Sequence, residues 1–189
     1  MRVAGVVLAA GESRRMGFAK LLLQHRGRSL LARVVATATP TCDAVWVVVG
    51  AFERRYRDEA EAAGAHVVVN PDWREGLASS LRRGVEAVPA EYDAAFILLA
   101  DQPFVGKGHL EALLERRRTD GCDLVLSRYQ GVAGAPALVH RSLFPQLLTL
   151  HGDRGARALT RVASSVGEVP LRGSQDVDTR EDARTWLEP

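Results

Sequence analysis

Residues 3–20 read VAGVVLAAGESRRMGFAK. The first seven are almost unbroken in apolar character. The remainder holds two glycines, two adjacent arginines and a lysine. A short apolar run without alternation is the pattern of a strand covered on both faces, as in parallel sheets. Parallel strands require crossovers, usually helices, so strand-like and helix-like segments should alternate beyond it. In such sheets ligands bind beyond the carboxyl ends of the strands. Residues 10–20 are therefore where chemistry is expected first.

The alternation is present. Further apolar, β-branched runs occur at Ala44–Val49, Ala65–Val69 and Ala94–Leu99, with Asp123–Ser127 and Ala137–His140 as additional candidates. Between them lie helical patterns. Leu30, Leu31, Val34, Val35 and Ala38 share one face of a helix that Ser29 can cap. Glu53 to Ala63 is charged and alanine-rich, and Gly64 supplies the stop. Ser79 or Ser80 can cap a helix carrying Leu81, Val85 and Val88, and His109 to Arg118 forms another. The pattern predicts an α/β fold, a Rossmann-like doubly wound, mostly parallel sheet with helices on both faces. From Ser127 the order loosens, and YQGVAGAP (129–136) reads as a loop or a change of direction. No repeat and no linker divides the 189 residues, which suit a single domain.

Composition excludes some classes. The formal net charge is +2 and no dense Lys/Arg tract occurs, which gives no footprint for nucleic acid. No apolar run reaches about 18 residues, so no spanning helix is expected. The start lacks the longer apolar stretch and cleavage site of a signal peptide, and a cytoplasmic location is expected. Cys42 and Cys122 form no CxxC motif. The histidines at 25, 66, 109, 140 and 151 make no metal-ligand spacing with each other or with cysteine.

Three strand-end loops carry unusual residues. In the first, Gly11 and Gly17 let backbone approach a ligand, and Arg15 and Lys20 add cationic donors, a combination suited to a triphosphate. The loop matches neither a Walker P-loop nor GxGxxG, and Gly11–Arg15 is only half of a nucleophile elbow; an irregular solvated turn is the plain alternative. In the second, Asp101 follows Ala94–Leu99 and precedes Gln102-Pro103, where it can hold Mg²⁺ near phosphates or cap the next helix. In the third, Asn70-Pro71-Asp72-Trp73-Arg74-Glu75-Gly76 leads to Ser79 and Ser80, donors for a base, an anion or a helix cap. Near the C-terminus, Asp176 and Asp178 alternate and would share a side if extended, which suits a metal; a helix cap is again the alternative.

Taken together, LAAGESRRMGFAKLLL, NPDWREGLASSLRRGV, LLADQPFV, GAPALVHRSLFPQLLTLHGDRGAR and DVDTRED resemble the MobA-like nucleotidyltransferases over nearly the whole chain. The nearest branch is the molybdenum cofactor cytidylyltransferases. The resemblance implies the nucleotide-diphospho-sugar transferase fold. It gives a nucleotide-binding part over about residues 1–105 and an acceptor-binding part over about 106–189. It places Leu8, Ala9, Ala10 and Gly11 at the nucleotide, Arg15 and Lys20 on its phosphates, and Asn70, Gly76, Ser79 and Ser80 at base and ribose. Asp101 would bind Mg²⁺, with Mn²⁺ the alternative metal, and Asp178, with Asp176 as a further candidate, would complete the metal site. Arg15, Lys20 and Asp101 become the expected catalytic residues, and Arg154 and Arg157 the expected acceptor contacts. Ala10 stands where the guanylyl branch usually has a second glycine, and its methyl implies CTP over GTP.

The implied reaction is attack of the terminal phosphate of molybdenum-bound molybdopterin on the α-phosphorus of CTP, releasing pyrophosphate. The implied partners are these two substrates and a recipient molybdenum hydroxylase, without nucleic acid or membrane. Four other readings stay open: guanylyl transfer, nucleotidyl transfer to a sugar or alditol phosphate, a glycosyltransferase using Asp176-Val177-Asp178, and a non-catalytic nucleotide sensor or cofactor chaperone.

Overall fold

The structure is a computed structural model that describes residues 1–13, 15–171, 177 and 179–187. Its centre is a seven-stranded sheet in the order β5-β4-β1-β6-β8-β7-β9. The strands are β1 (Val3–Ala9), β4 (Ala44–Val49), β5 (His66–Val69), β6 (Ala94–Leu99), β7 (Leu124–Tyr129), β8 (Val132–His140) and β9 (Val166–Pro170). A two-stranded ribbon, β2 (Gln24–His25) with β3 (Arg28–Ser29), leads into the first helix. The helices are α1 (Leu30–Ala38), α2 (Glu53–Ala62), α3 (Leu77–Glu86), α4 (Lys107–Asp120), α5 (Phe144–Leu147) and α6 (Arg180–Leu187).

Neighbouring strands are parallel except at β8, which runs against both β6 and β7. All seven residues of β1 are buried, because successive side chains enter two different cores. Val7 and Ala9 meet α1, α2 and α4 residues such as Leu31, Tyr56 and Leu113. Val6 and Leu8 meet α3 and α5 residues such as Leu81 and Leu147. The helices thus cover both faces, and the doubly wound expectation holds. α3 lies especially close to the sheet: a Cβ built at Gly84 would stand 2.4 Å from Val6 Cγ1 and 2.9 Å from Val48 Cγ2.

Local chemistry sets the element ends. The Ser29 side chain accepts a hydrogen bond from the Ala32 N–H and caps α1 as expected. Gly64 follows α2 at φ +84°. Two expectations are corrected. Neither Ser79 nor Ser80 is a cap, because α3 begins at Leu77 after Gly76, and both serines are buried inside its first turns. Nor does Asp101 cap the following helix, whose N-cap is Gly106.

Of the two readings of residues 129–136, the structure takes the change of direction. Gln130 and Gly131 both take positive φ, +46° and +80°, the geometry of a two-residue hairpin turn joining β7 to β8. Pro136 is tolerated in an interior strand because it lies where the β7–β8 register breaks after Leu126. There Ser127 donates its hydroxyl to the Pro136 carbonyl oxygen at 2.5 Å, and His109 Nε2 contacts the same hydroxyl at 2.7 Å.

Cys122 is buried, and burial pushes the Cys42 thiol up to about 12; neither forms a disulfide. Among the described residues, no helix is long and apolar enough to cross a membrane.

Candidate active site

The loop after β1 is built around one turn. The Met16 and Gly17 N–H groups donate to the Ser13 carbonyl oxygen at 2.9 and 3.0 Å. Ser13 and Gly17 take positive φ, +53° and +74°. Met16, Ala19 and Leu21 are buried beneath the loop, so its polar side is turned outward by hydrophobic anchoring. The Leu21 N–H reaches the Tyr56 hydroxyl at 3.5 Å, which ties the loop to α2. Burial raises the Tyr56 pKa, so this phenol stays protonated as an anchor.

Two cavities adjoin this loop and share Leu8, Gly11, Asp101 and Asp153. The first has a volume of about 500 Å³, and Ser13, Arg15 and Lys20 line it. Lys20 is only 8% exposed, so its ammonium requires a partner. It finds one in Asp101, with Nζ 2.9 Å from Oδ2. Asp101 follows β6, the strand beside β1, and the Ala100 N–H bonds to the Leu8 carbonyl oxygen at 3.2 Å. Adjacent parallel strands thus deliver the loop cations and the carboxylate to one place.

The second cavity has a volume of about 480 Å³ and is bounded by Ala10, Trp73, Arg74, Gly76, Leu77 and Ser80. The Arg74 guanidinium lies 4.2 Å from the centre of the Trp73 ring, a cation–π stack on its wall. Ala10 is packed from behind: a Cβ built on Gly50 would lie 2.9 Å from Ala10 Cβ and 2.8 Å from Trp73 Cβ. Gly50 leaves room for the Ala10 methyl and the Trp73 side chain together.

Leu8, Ala9, Ala10, Gly11, Arg15, Lys20, Gly76 and Ser80 line one or both cavities. Asn70 and Ser79 stand behind the wall. Asn70 is fully buried, and its amide donates to the Ser79 and Ser80 hydroxyls at 2.9 Å each. Ser79 in turn donates to the Gly76 carbonyl oxygen at 2.9 Å. Asn70 therefore orients the start of α3 without facing the cavity.

A third cavity, again about 480 Å³, holds Arg154, Arg157 and Arg161 and meets the other two at Asp153. The two arginines read from the sequence thus face a cleft next to the first two cavities. Asp153 and Arg161 were not read from the sequence. For Asp153 the signal lay in HGDRGAR (151–157), where it directly precedes Arg154.

The donor chemistry at Asp101 suits a hard divalent cation: a carboxylate at a strand end, with the Asp153 carboxylate lining the same cavities. Among the described residues, no three His, Cys, Asp or Glu side chains converge into a complete cage. The Val177 N–H donates to the Asp101 carbonyl oxygen at 3.0 Å, and Val177 is buried. Asp176 and Asp178, the other residues expected at the metal, lie outside the described residues.

Comparison with known proteins identifies the family. Purine catabolism protein PucB of Bacillus subtilis is 33% identical over 94% of this chain and 92% of its own. Nicotine blue oxidoreductase of Paenarthrobacter nicotinovorans is 31% identical over 97% of this chain and 92% of its own. Molybdenum cofactor cytidylyltransferase of Escherichia coli is 27% identical over 76% of this chain and 72% of its own. The crystal structure of Rv0371c from Mycobacterium tuberculosis superposes with a TM-score of 0.86 at 31% identity, covering 100% of this chain and 98% of that one. A manganese complex of the same protein gives 0.81 at 29% identity, covering 99% and 98%. Residues 5–169 match the MobA-like NTP transferase domain. With that match across most of its length, the chain belongs to the MobA-like NTP transferase family and is a nucleotidyltransferase.

Proposed function

We propose that the chain transfers a cytidylyl group from CTP to the terminal phosphate of molybdenum-bound molybdopterin, forming the cytosine dinucleotide cofactor and releasing pyrophosphate. The observation that carries this reading is the junction of three cavities at Asp153: a cationic one, a base-sized one walled by Ala10, and one with three arginines. The named cytidylyltransferase relative supports it.

In this reading the triphosphate lies against Gly11, Ser13, Arg15 and Lys20, the base enters beside Ala10 and Trp73, and the acceptor phosphate lies against Arg154 and Arg157. A phosphate monoester has a second pKa of about 6 and is largely dianionic at neutral pH, so it attacks without a general base. One acceptor oxygen bonds to the α-phosphorus. The bond from that phosphorus to the bridging oxygen of the β-phosphate breaks, and pyrophosphate leaves with the electron pair. Arg15 and Lys20 stabilise charge on the leaving group. The protein's contribution is positioning and charge balance. Asp101, with Asp178 as its expected companion, would hold Mg²⁺ or Mn²⁺, which supplies Lewis-acid neutralisation of phosphate oxygens. The reading implies delivery of the finished cofactor to a molybdenum hydroxylase.

The test is pyrophosphate release from CTP and from GTP, with and without molybdenum-loaded molybdopterin. Release with CTP but not GTP, and only with the pterin, is the expected result. Release with GTP would retain the chemistry and remove the role given to Ala10. Release with a sugar or alditol phosphate in place of the pterin would change the acceptor. A sensor, or an oxidoreductase as one relative is named, would release none.

A further inference from the structure

The arginine cleft is joined to the nucleotide-side cavities through residues 150–155. The Ala78 N–H, in the first turn of α3, donates to the Gly152 carbonyl oxygen at 2.9 Å. Asp153 Oδ1 lies 3.4 Å from the Leu77 N–H, a long contact. Gly76, at φ +105°, completes the joint: a Cβ there would stand 2.7 Å from both the Gly152 carbonyl and the Asp153 carboxylate. Gly155 packs against Leu77. These contacts all lie at the front of α3, where two glycines, 76 and 152, take positive φ.

One side chain ties the same loop to α3 from behind. Arg82, on the next turns of α3, donates through Nη1 to the Leu150 carbonyl oxygen at 2.5 Å and through Nη2 to Glu75 Oε2 at 3.1 Å. Its side chain is 20% exposed, against 60% for Glu75, so the guanidinium rather than the carboxylate is the embedded member. It bridges the segment before Gly76 to the start of the arginine loop. Arg82 lines none of the three cavities described above.

We propose that Arg82 is a positioning residue for the acceptor. Its fork locks the 150–155 loop to α3, and so holds Arg154, Arg157 and Arg161 at the distance from which a bound phosphate monoester reaches the nucleotide. This rests on the reading of the arginine cleft as the place of an anionic acceptor. A planar guanidinium serves two acceptors on different segments at once, whereas a lysine at 82 serves one and a glutamine neither well. Small misplacements of a reacting group cost large factors in rate, which is why a residue touching no substrate matters.

The test compares Arg82→Gln and Arg82→Lys with the parent. Two equilibria are measured: nucleoside triphosphate affinity (CTP, or GTP if CTP does not bind), and affinity for inorganic phosphate once the nucleotide site is saturated. Arg157→Ala identifies the phosphate site as the cleft. Acceptor KM and kcat follow with molybdenum-loaded molybdopterin. Arg82→Gln should weaken phosphate and raise acceptor KM by about tenfold, with Arg82→Lys between. Triphosphate affinity should change by less than about twofold in both variants. Parallel loss of triphosphate affinity would overturn the proposal, since Arg82 would then merely support α3. So would unchanged phosphate affinity and KM, or phosphate binding indifferent to Arg157→Ala. If the parent protein fails to use molybdopterin, that acceptor falls, while the phosphate titration still decides the role of Arg82.

Discussion

Lys20 Nζ and Asp101 Oδ2 stand 2.9 Å apart, so the cation expected to hold phosphate and the carboxylate expected to hold metal neutralise one another in the nucleotide-free protein. One carboxylate then has two claimants. In the proposed reaction a triphosphate would resolve the competition by drawing the ammonium toward its own charge. Lys20→Met should therefore do two opposite things. Turnover should fall by about 10²–10³. Binding of Mn²⁺ to nucleotide-free protein, followed by paramagnetic resonance, should tighten by about tenfold, because a competing positive charge is gone. Unchanged Mn²⁺ affinity would falsify the competition, whatever happens to turnover.

Ala10 and Gly50 form a second pair, with the methyl of one occupying the space the other leaves. Ala10→Gly should enlarge the base-side cavity and move the kcat/KM ratio toward GTP by about tenfold, the order that one methyl in a pocket supports. Steady-state pyrophosphate release with both nucleotides reads this directly. A ratio that stays put would place base selection on Trp73, Arg74 or Ser80 instead.

Asn70→Ala should cost about 2–3 kcal/mol in urea unfolding, because a fully buried amide is lost and the Asp72 N–H forfeits its acceptor. CTP affinity should fall too, since Ser80 loses its orienting donor. Destabilisation with unaltered affinity would make Asn70 a purely structural residue.

His109 gives a pH prediction. Burial lowers its pKa below the ordinary 6.5. Between the two values the unfolded chain binds more protons than the folded one, so stability is present above about pH 6.5 and is lost as pH falls through the folded pKa. His109→Gln should flatten this slope, and its amide can still donate to Ser127. Unfolding midpoints compared at about pH 5 and about pH 7.5 test it. An equal acid loss in the variant would assign the slope to other groups.

Much of this was legible because it is local. The bounds of β1, β4 and β6 follow from unbroken apolar runs, and the α1 cap from one serine ahead of a periodic stretch. Placing chemistry at the strand ends brought Arg15, Lys20 and Asp101 to one cavity. The change of direction at residues 129–136 was legible too: Gln130-Gly131 makes it as a tight hairpin, and Pro136 occupies a break in the ladder. The errors have physical reasons. Ser79 and Ser80 read as caps because hydroxyls at a helix start usually are, but the buried Asn70 uses them instead. Asp153 and Arg82 went unnoticed because what they join is set by tertiary packing: partners 76 and 68 positions away in sequence.

Gly84 has a consequence for how such a protein can diverge. Without a side chain there, α3 rests directly on Val6 and Val48. A methyl would lift the helix, and with it Ser80 and Gly76 at one end and the Gly152 carbonyl they lead to. A change of substrate can be written into the loops around α3 one residue at a time, each with its own trial. A change at the seat of the helix alters donor and acceptor geometry in a single event. Descendants of this sequence are therefore free to exchange bases or acceptors, while position 84 has no neighbouring variant that leaves both in place.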